Sequence, residues 1–316
     1  MDKLYTFGKY LKKKFKTNVK KVPISIPGFT CPNIDGTVAR GGCVFCENES
    51  FSPNFQKEKI TLNLKSKENP LLEKQLKSLE YQFFNTIESL KKYYKAKKFI
   101  VYFQSFTNTY APFPTLKALY EKALSFPNVI GISVGTRTDS ITDETLEYLA
   151  KLSKKYEIWV EYGIQTSNDE TLKRINRGHD FKNVADTIKK TKKLSLNVCG
   201  HLIFGLPGES QEDMLKSVKD SIALGIDSIK FHPLYVTDNT LLAIEYKKGK
   251  FKPISEDVYI DTLIKAIKML PQNISIQRMT AGTENLLAPE WCKYKSLQMS
   301  HIHKALKNAG IKLHWR

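Results

Sequence analysis

Six short runs rich in β-branched and aromatic residues alternate, through the middle of the chain, with segments whose apolar residues recur every three or four positions. The runs are Val22–Ile26, Phe99–Phe103, Val129–Val134, Ile158–Ile164, Leu196–Phe204 and Ser228–Leu234. They are apolar on both of their alternating faces, as strands covered on two sides must be. Between them, Leu72, Leu76, Leu79, Phe83, Ile87, Leu90 and Tyr94 fall on one helical face, and Leu146, Leu149, Ala150 and Leu152 mark another. Ser167-Asn168-Asp169-Glu170 fits a capping box, and Ser210-Gln211-Glu212-Asp213 resembles one. Repeated strand–helix units predict an α/β fold with a parallel sheet. Six strands are too few for a closed eight-stranded barrel, which leaves an open partial barrel or a doubly wound sheet.

The pattern changes after Leu234. Ser255 is placed to cap a helix with Ile260, Leu263, Ile264, Ile267 and Leu270 on one face, stopped by Pro271. Ile274–Met279 reads as a further strand, and a last helix over about Ser300–Asn308 ends at Gly310. The expected division is a basic N-terminal arm over 1–21, a core over 22–236 and a small α+β extension over 237–316 packed on that core.

No run approaches the ~18 apolar residues of a membrane span, and the N-terminus lacks the apolar stretch of a secretion signal. The expected location is the cytoplasm, away from membranes. The five cysteines then read as reduced thiols rather than a disulfide framework. The formal net charge is +18, carried almost wholly by lysine; arginine stands only at positions 40, 137, 174, 177, 278 and 316. Such a balance fits a nucleic-acid partner and equally a solvated lysine surface.

Three of the cysteines are close together: Cys31, Cys43 and Cys46, on a Gly-rich loop directly after the first predicted strand. α/β folds place their chemistry at that end of the strand. Three thiolates with one x2 pair form a metal-binding pattern that lacks a fourth ligand. A structural zinc ion wants a closed tetrahedron, and the first histidine in the chain is His179. The fourth zinc ligand would have to be Asp, Glu or a distant group. An iron–sulfur cluster held by three cysteines instead keeps one iron open.

The stretch Phe29-Thr30-Cys31-Pro32-Asn33-Ile34-Asp35-Gly36-Thr37, followed by Gly41-Gly42-Cys43-Val44-Phe45-Cys46, resembles the radical S-adenosylmethionine (radical SAM) superfamily, in its YhcC-type branch. The usual x3–x2 spacing is replaced by x11–x2; the related Elongator catalytic subunit family also has a widened first gap. The resemblance implies a partial (β/α)6 TIM-type barrel with the small C-terminal extension. It also implies a 4Fe–4S cluster on Cys31, Cys43 and Cys46, and S-adenosyl-L-methionine split there to a 5′-deoxyadenosyl radical.

Further assignments follow from that resemblance. Phe45 would pack near the adenine. Gln165, at the end of the fourth predicted strand, and Arg177, after the next helix, would bind the methionyl or ribose end of the cofactor. His201 lies in the strand-five motif that ends Gly205-Leu206-Pro207-Gly208, where relatives contact the ribose. Arg137, in Thr136-Arg137-Thr138-Asp139, is a candidate partner for the cofactor carboxylate or a substrate anion. Gln104 occupies the place of a Gly-Gly-Glu motif that this chain lacks. Cys199 and Cys292 are candidate hydrogen-atom donors, with small buried hydrophobes as the alternative reading. A reductant such as flavodoxin or ferredoxin is implied.

The Elongator resemblance and the N-terminal arm, with eight lysines and one acid in residues 1–21, favour tRNA or another RNA as substrate. Two alternatives stay open: a nucleic-acid-binding protein with a structural zinc site, and a radical enzyme acting on a small molecule.

Overall fold

The structure is a computed structural model that describes residues 4–47, 58–283 and 286–312. Seven strands form one parallel sheet in chain order: β1 (Val19–Ile24), β2 (Lys98–Phe103), β3 (Val129–Thr136), β4 (Glu157–Gln165), β5 (Asn197–Phe204), β6 (Ser228–Pro233) and β7 (Ser275–Arg278). It is a half-barrel with helices on its outside. The six strands expected in the middle of the chain are all present. The seventh comes from the segment read as an extension, and it pairs with β6 through Ser228–Ser275 and Ile229–Ile276.

Between the strands run α2 (Leu72–Tyr94), α3 (Phe113–Leu124), α4 (Asp143–Ser153), α5 (Asp169–Arg174), α6 (Phe181–Lys193) and α7 (Gln211–Ala223). After β6 come α8 (Leu241–Lys247) and α9 (Glu256–Met269), and after β7 comes α10 (Lys295–Asn308). None of these is long and apolar enough to cross a membrane.

Local chemistry explains the helix ends. Ser210 and Asp213 form a reciprocal capping box on α7, and Ser255 caps α9. At α5 the cap is Asn168, one residue later than expected, because its side-chain oxygen reaches the amides of Glu170 and Thr171. The last helix starts earlier than expected, at Lys295 rather than near Ser300.

The strands sort their side chains by period two. Val22, Val101, Ile132, Val160, Val198 and Ile229 belong to the main apolar core under the helices. Phe83 on α2 joins it, stacked on Phe126 at 4.6 Å between ring centroids. The opposite faces carry Lys21, Tyr102, Ser133, Glu161, His201 and Lys230, which bond to one another inside the half-barrel.

The N-terminal segment differs from a free basic arm. Thr6 caps α1 (Phe7–Phe15), whose Phe7 and Leu11 are buried in an apolar cluster with Val19, Ile100, Trp159 and Cys199. Phe7 meets Trp159 edge-on at 5.0 Å, and Tyr10 bonds Glu157 at 2.6 Å. Thr6 also bridges Ile276 of β7. α1 therefore stoppers the N-terminal end of the half-barrel, with Lys12, Lys13 and Lys14 left exposed. β1 begins at Val19, so Lys21 belongs to the sheet.

Candidate functional site

The cysteine loop leaves β1 and is held down by the segment after α5. Asn33 donates from Nδ2 to the carbonyls of Asn176 at 2.5 Å and Arg177 at 3.0 Å. The Val44 amide donates to Ile175, and Asn176 donates to the Gly42 carbonyl at 2.8 Å. Gly178, at φ +80, is required at this junction. A Cβ there would sit 2.6 Å from both Asn33 Oδ1 and Val38 Cγ1.

Cys31, Cys43 and Cys46 all face a cavity of about 500 Å³ at the C-terminal ends of the strands. The same cavity is lined by Phe45, Gln104, Arg137, Gln165, Arg177 and His201. All nine residues proposed from sequence for cluster and cofactor are thus brought to one enclosure. Two arginines meet the sulfurs. Arg137 Nη1 lies 3.9 Å from Cys31 Sγ, and Arg177 Nη1 lies 3.8 Å from Cys43 Sγ. Burial, then the neighbouring Cys43 and Cys31, push the Cys46 thiol up. A thiolate at Cys46 therefore needs a cationic centre to hold it ionised.

Among the described residues, Glu161, Cys199 and His201 bring their ligand atoms mutually within 4.8 Å.

The two arginines differ in their freedom. Arg137 forms a two-point pair with Asp139, at 2.8 and 2.5 Å, and donates to the Arg177 carbonyl at 2.8 Å. Its guanidinium is committed to bracing the loop. Arg177 donates to the Gly163 carbonyl at 2.7 Å and retains a buried Nε without a partner. Gln165 closes β4 in the left-handed region at φ +68, an uncommon conformation for a residue with a Cβ. The absence of a side chain at Gly163 makes room for it: a Cβ there would lie 2.7 Å from Gln165 Nε2 and 3.0 Å from Arg177 Nη2.

Beneath these residues lies a polar layer that sequence reasoning missed. Glu161, fully buried on β4, accepts from Lys21 on β1, Ser133 on β3, His201 on β5 (2.7 Å) and Lys230 on β6. Burial alone would push this carboxyl up; Lys21, Lys230 and His201 outweigh it and hold it well below the usual carboxylate range. Burial and Lys230 pull His201 down to about 4. A neutral His201 facing an ionised Glu161 must donate from Nε2, which leaves Nδ1 as an acceptor. The Glu161–Cys199–His201 trio is not a metal site, because lysine ammoniums already meet both carboxylate oxygens. The sequence signal for this layer was a charged residue between apolar neighbours inside two strands, Glu161 in β4 and Lys230 in β6.

Cys199 and Cys292 stand apart from the cavity lining. Cys199 is fully buried below His201, among Trp159 and Ile100, and burial pushes its thiol up to about 12. Cys292 is buried in the short turn Glu290–Cys292, and burial likewise pushes it up. His179 precedes the N-cap of α6 and lies outside the cavity lining, as expected of a helix-start residue.

Comparison with known proteins accords with this geometry. The family model described as the Radical SAM superfamily matches residues 34–221, and that described as the Radical_SAM C-terminal domain matches residues 226–308. Protein YhcC of Escherichia coli (strain K12) is 34% identical over 308 residues, 96% of this chain and 93% of the relative. YtqA of Bacillus subtilis (strain 168) is 33% identical over 311 residues, 97% of this chain and 90% of the relative. A tRNA uridine(34) acetyltransferase of Methanocaldococcus infernus is 31% identical over 189 residues, 58% of this chain but 34% of the relative's length. The solved structure of archaeal Methanocaldococcus infernus Elp3 with an N-terminal deletion matches with a TM-score of 0.61 at 18% identity. That match covers 92% of this chain and 64% of the other, and concerns the fold alone.

Proposed function

Because this chain belongs to the radical SAM superfamily, and so to enzymes that cleave S-adenosylmethionine for radical chemistry, we propose that it does so with a 4Fe–4S cluster on Cys31, Cys43 and Cys46 and with tRNA or another RNA as substrate. The observation that carries the proposal is the convergence of three cysteines, two arginines and the polar ends of β2, β4 and β5 on one cavity. When bound, the cluster and cofactor supply one-electron cleavage to a 5′-deoxyadenosyl radical.

The protein's own groups bind and orient. Arg137 braces the loop through Asp139 and the Arg177 carbonyl. Arg177 presents positive charge at Cys43 and has Nε available for an acceptor on the cofactor. Gln165 and Gln104 offer amides from the strand ends, and Phe45 offers an apolar surface for the adenine. His201, held by Glu161, offers an Nδ1 acceptor for a ribose hydroxyl. A reductant of the flavodoxin or ferredoxin kind supplies the electron.

Two lines support RNA. One is the similarity to a tRNA uridine(34) acetyltransferase, over a third of that relative's length. The other is the +18 charge, with Lys12, Lys13 and Lys14 exposed on α1. The acetyl transfer in that relative's name is not carried over.

The test is anaerobic reconstitution of the protein and of a variant with Cys31, Cys43 and Cys46 replaced by Ala. The parent should hold about four irons per chain and release 5′-deoxyadenosine under reduction. The variant should do neither; iron loading that persists in it, or a zinc-loaded colourless parent, rejects the cluster assignment. For the substrate, total tRNA from cells with and without the gene should differ in one modified nucleoside. Identical nucleoside profiles reject the RNA assignment.

A further inference from the structure

The cavity carries more positive charge than the cluster and cofactor contacts use. Among its described lining residues are five cations, Arg137, Arg177, Lys230, Arg278 and Lys295, and one acid, Glu161. Three of the cations are committed: Arg137 to Asp139, Arg177 to the Gly163 carbonyl beside Cys43, and Lys230 to Glu161. Arg278, the last residue of β7, and Lys295, the first of α10, make no side-chain hydrogen bond or ion pair with any described residue. They face the same cavity as His232 of β6, whose Nε2 is buried and without a partner.

Lys295, on the exposed rim, stands beside Arg278: partial desolvation and that neighbouring guanidinium pull its ammonium down from the usual range. Burial, then Arg278 and His201, hold His232 neutral, so that its ring has one N–H to give. Lys295 also opens a 14-residue helix whose N-cap, Tyr294, makes no side-chain cap bond and whose first turn has no acid. A helix start of that kind favours an anion and opposes a lysine. Two cations from β7 and α10 beside a neutral imidazole from β6 are the mark of a site for an external anion.

We propose that Arg278, Lys295 and His232 form a subsite for a phosphate group of the substrate, placing it in the cavity that holds the cofactor. The inference rests on the proposed function for the identity of that cofactor. A guanidinium, an ammonium and an imidazole N–H arriving from three elements suit a group with several oxygens. Such a group is a phosphodiester of a nucleic acid or a phosphomonoester of a nucleotide; both present the same oxygens to this wall.

The experiment is a phosphorus NMR titration of the cluster-loaded protein with inorganic phosphate and, separately, dimethyl phosphate as the diester probe. The parent should bind at least one of the two saturably. Arg278→Gln and Lys295→Gln should each weaken that binding about tenfold. Lys154→Gln, which removes the same charge from an exposed position, should leave it unchanged. Saturating S-adenosylmethionine should leave phosphate bound. Lys295 lies on the exposed rim, so its variant keeps the test open if Arg278→Gln misfolds. Variants that bind phosphate as the parent does overturn the proposal. So does displacement of phosphate by S-adenosylmethionine, which would assign these cations to the cofactor. A parent that binds phosphate through Arg278 but never cleaves S-adenosylmethionine leaves the subsite standing and removes the proposed function.

Discussion

A buried and a half-buried carboxylate lie at different heights in this barrel, and their surroundings drive them in opposite directions. Glu161, in the floor, is met by Lys21, Lys230 and His201 and is held well below the usual carboxylate range. Glu209, in the turn after β5, is met by the hydroxyls of Thr166 and Thr171 and, among the described residues, by no cation. Burial raises it to about 7. Desolvation acts on both; what differs is whether the fold brings a cation. Four strands converge on Glu161, because inward-facing positions of neighbouring strands meet across the barrel. A loop residue such as Glu209 has no such neighbours.

The strongest way to break this contrast is to neutralise Glu161. Glu161→Gln leaves Lys21 and Lys230 buried without a counter-charge and should cost about 3–5 kcal/mol of stability. Denaturant unfolding measures it. Replacing Lys21, Glu161 and Lys230 together by apolar residues should cost much less, because no uncompensated charge remains. A loss below about 1 kcal/mol for Glu161→Gln alone would mean that water or rearrangement satisfies the lysines, and that Glu161 does not organise the floor.

A second test concerns the stopper below that floor. Phe7→Ala removes a ring packed edge-on against Trp159 and should cost about 3 kcal/mol. Replacing Lys12 and Lys13 by Gln should leave stability within about 0.5 kcal/mol and lower RNA affinity, with a shallower salt dependence. If Phe7→Ala is neutral, α1 is the loose arm that its lysines suggest.

These two regions also show where the sequence was readable. The cysteine loop is contiguous, so residues 29–46 announced a three-thiolate centre, and the strand–helix alternation announced the sheet. The floor was hidden because its partners are 140 and 69 positions apart, as in Lys21–Glu161 and Glu161–Lys230. No spacing rule joins such residues. A lysine or glutamate between two apolar neighbours in a strand was the available sign, and it was overlooked in Val160-Glu161-Tyr162 and Ile229-Lys230-Phe231. In α1, lysine content masked the i, i+4 pair Phe7 and Leu11. β7 was expected as a strand, but only pairing shows that it continues the sheet and carries Arg278 to the cavity.

The proposed link from floor to cofactor runs through His201. If Glu161 fixes its tautomer, His201→Phe should weaken S-adenosylmethionine binding about tenfold, or about 1.4 kcal/mol, with iron content unchanged. His201→Asn, which can donate to Glu161 and still accept, should stay within about threefold of the parent. Equilibrium binding to the cluster-loaded protein reads both. Equal losses in the two variants would show that ring packing, not the acceptor, is what His201 contributes.

The smallest effect, and the one most specific to the comparison, is the pH dependence set by Glu209. Its folded value near 7 lies above the ordinary 4.5 of the unfolded chain, so between these limits the native state holds the extra proton. Stability attributable to this group therefore falls as pH rises through that window, and the loss is nearly complete by pH ~8. Glu209→Gln removes the ionisable group while keeping an acceptor for Thr166. The stability of the variant relative to the parent should be flat below pH ~4.5. It should then rise by about 1 kcal/mol in favour of the variant by pH 8, a figure reduced for partial solvent access. Glu161 predicts the reverse slope at lower pH, since protonating a carboxylate held by two lysines removes stabilisation as pH falls. Denaturant unfolding at pH 5 and pH 8 decides between them for Glu209. A variant that gains nothing at the higher pH would place an unseen cation or water at its second oxygen, and the two carboxylates would no longer be opposites.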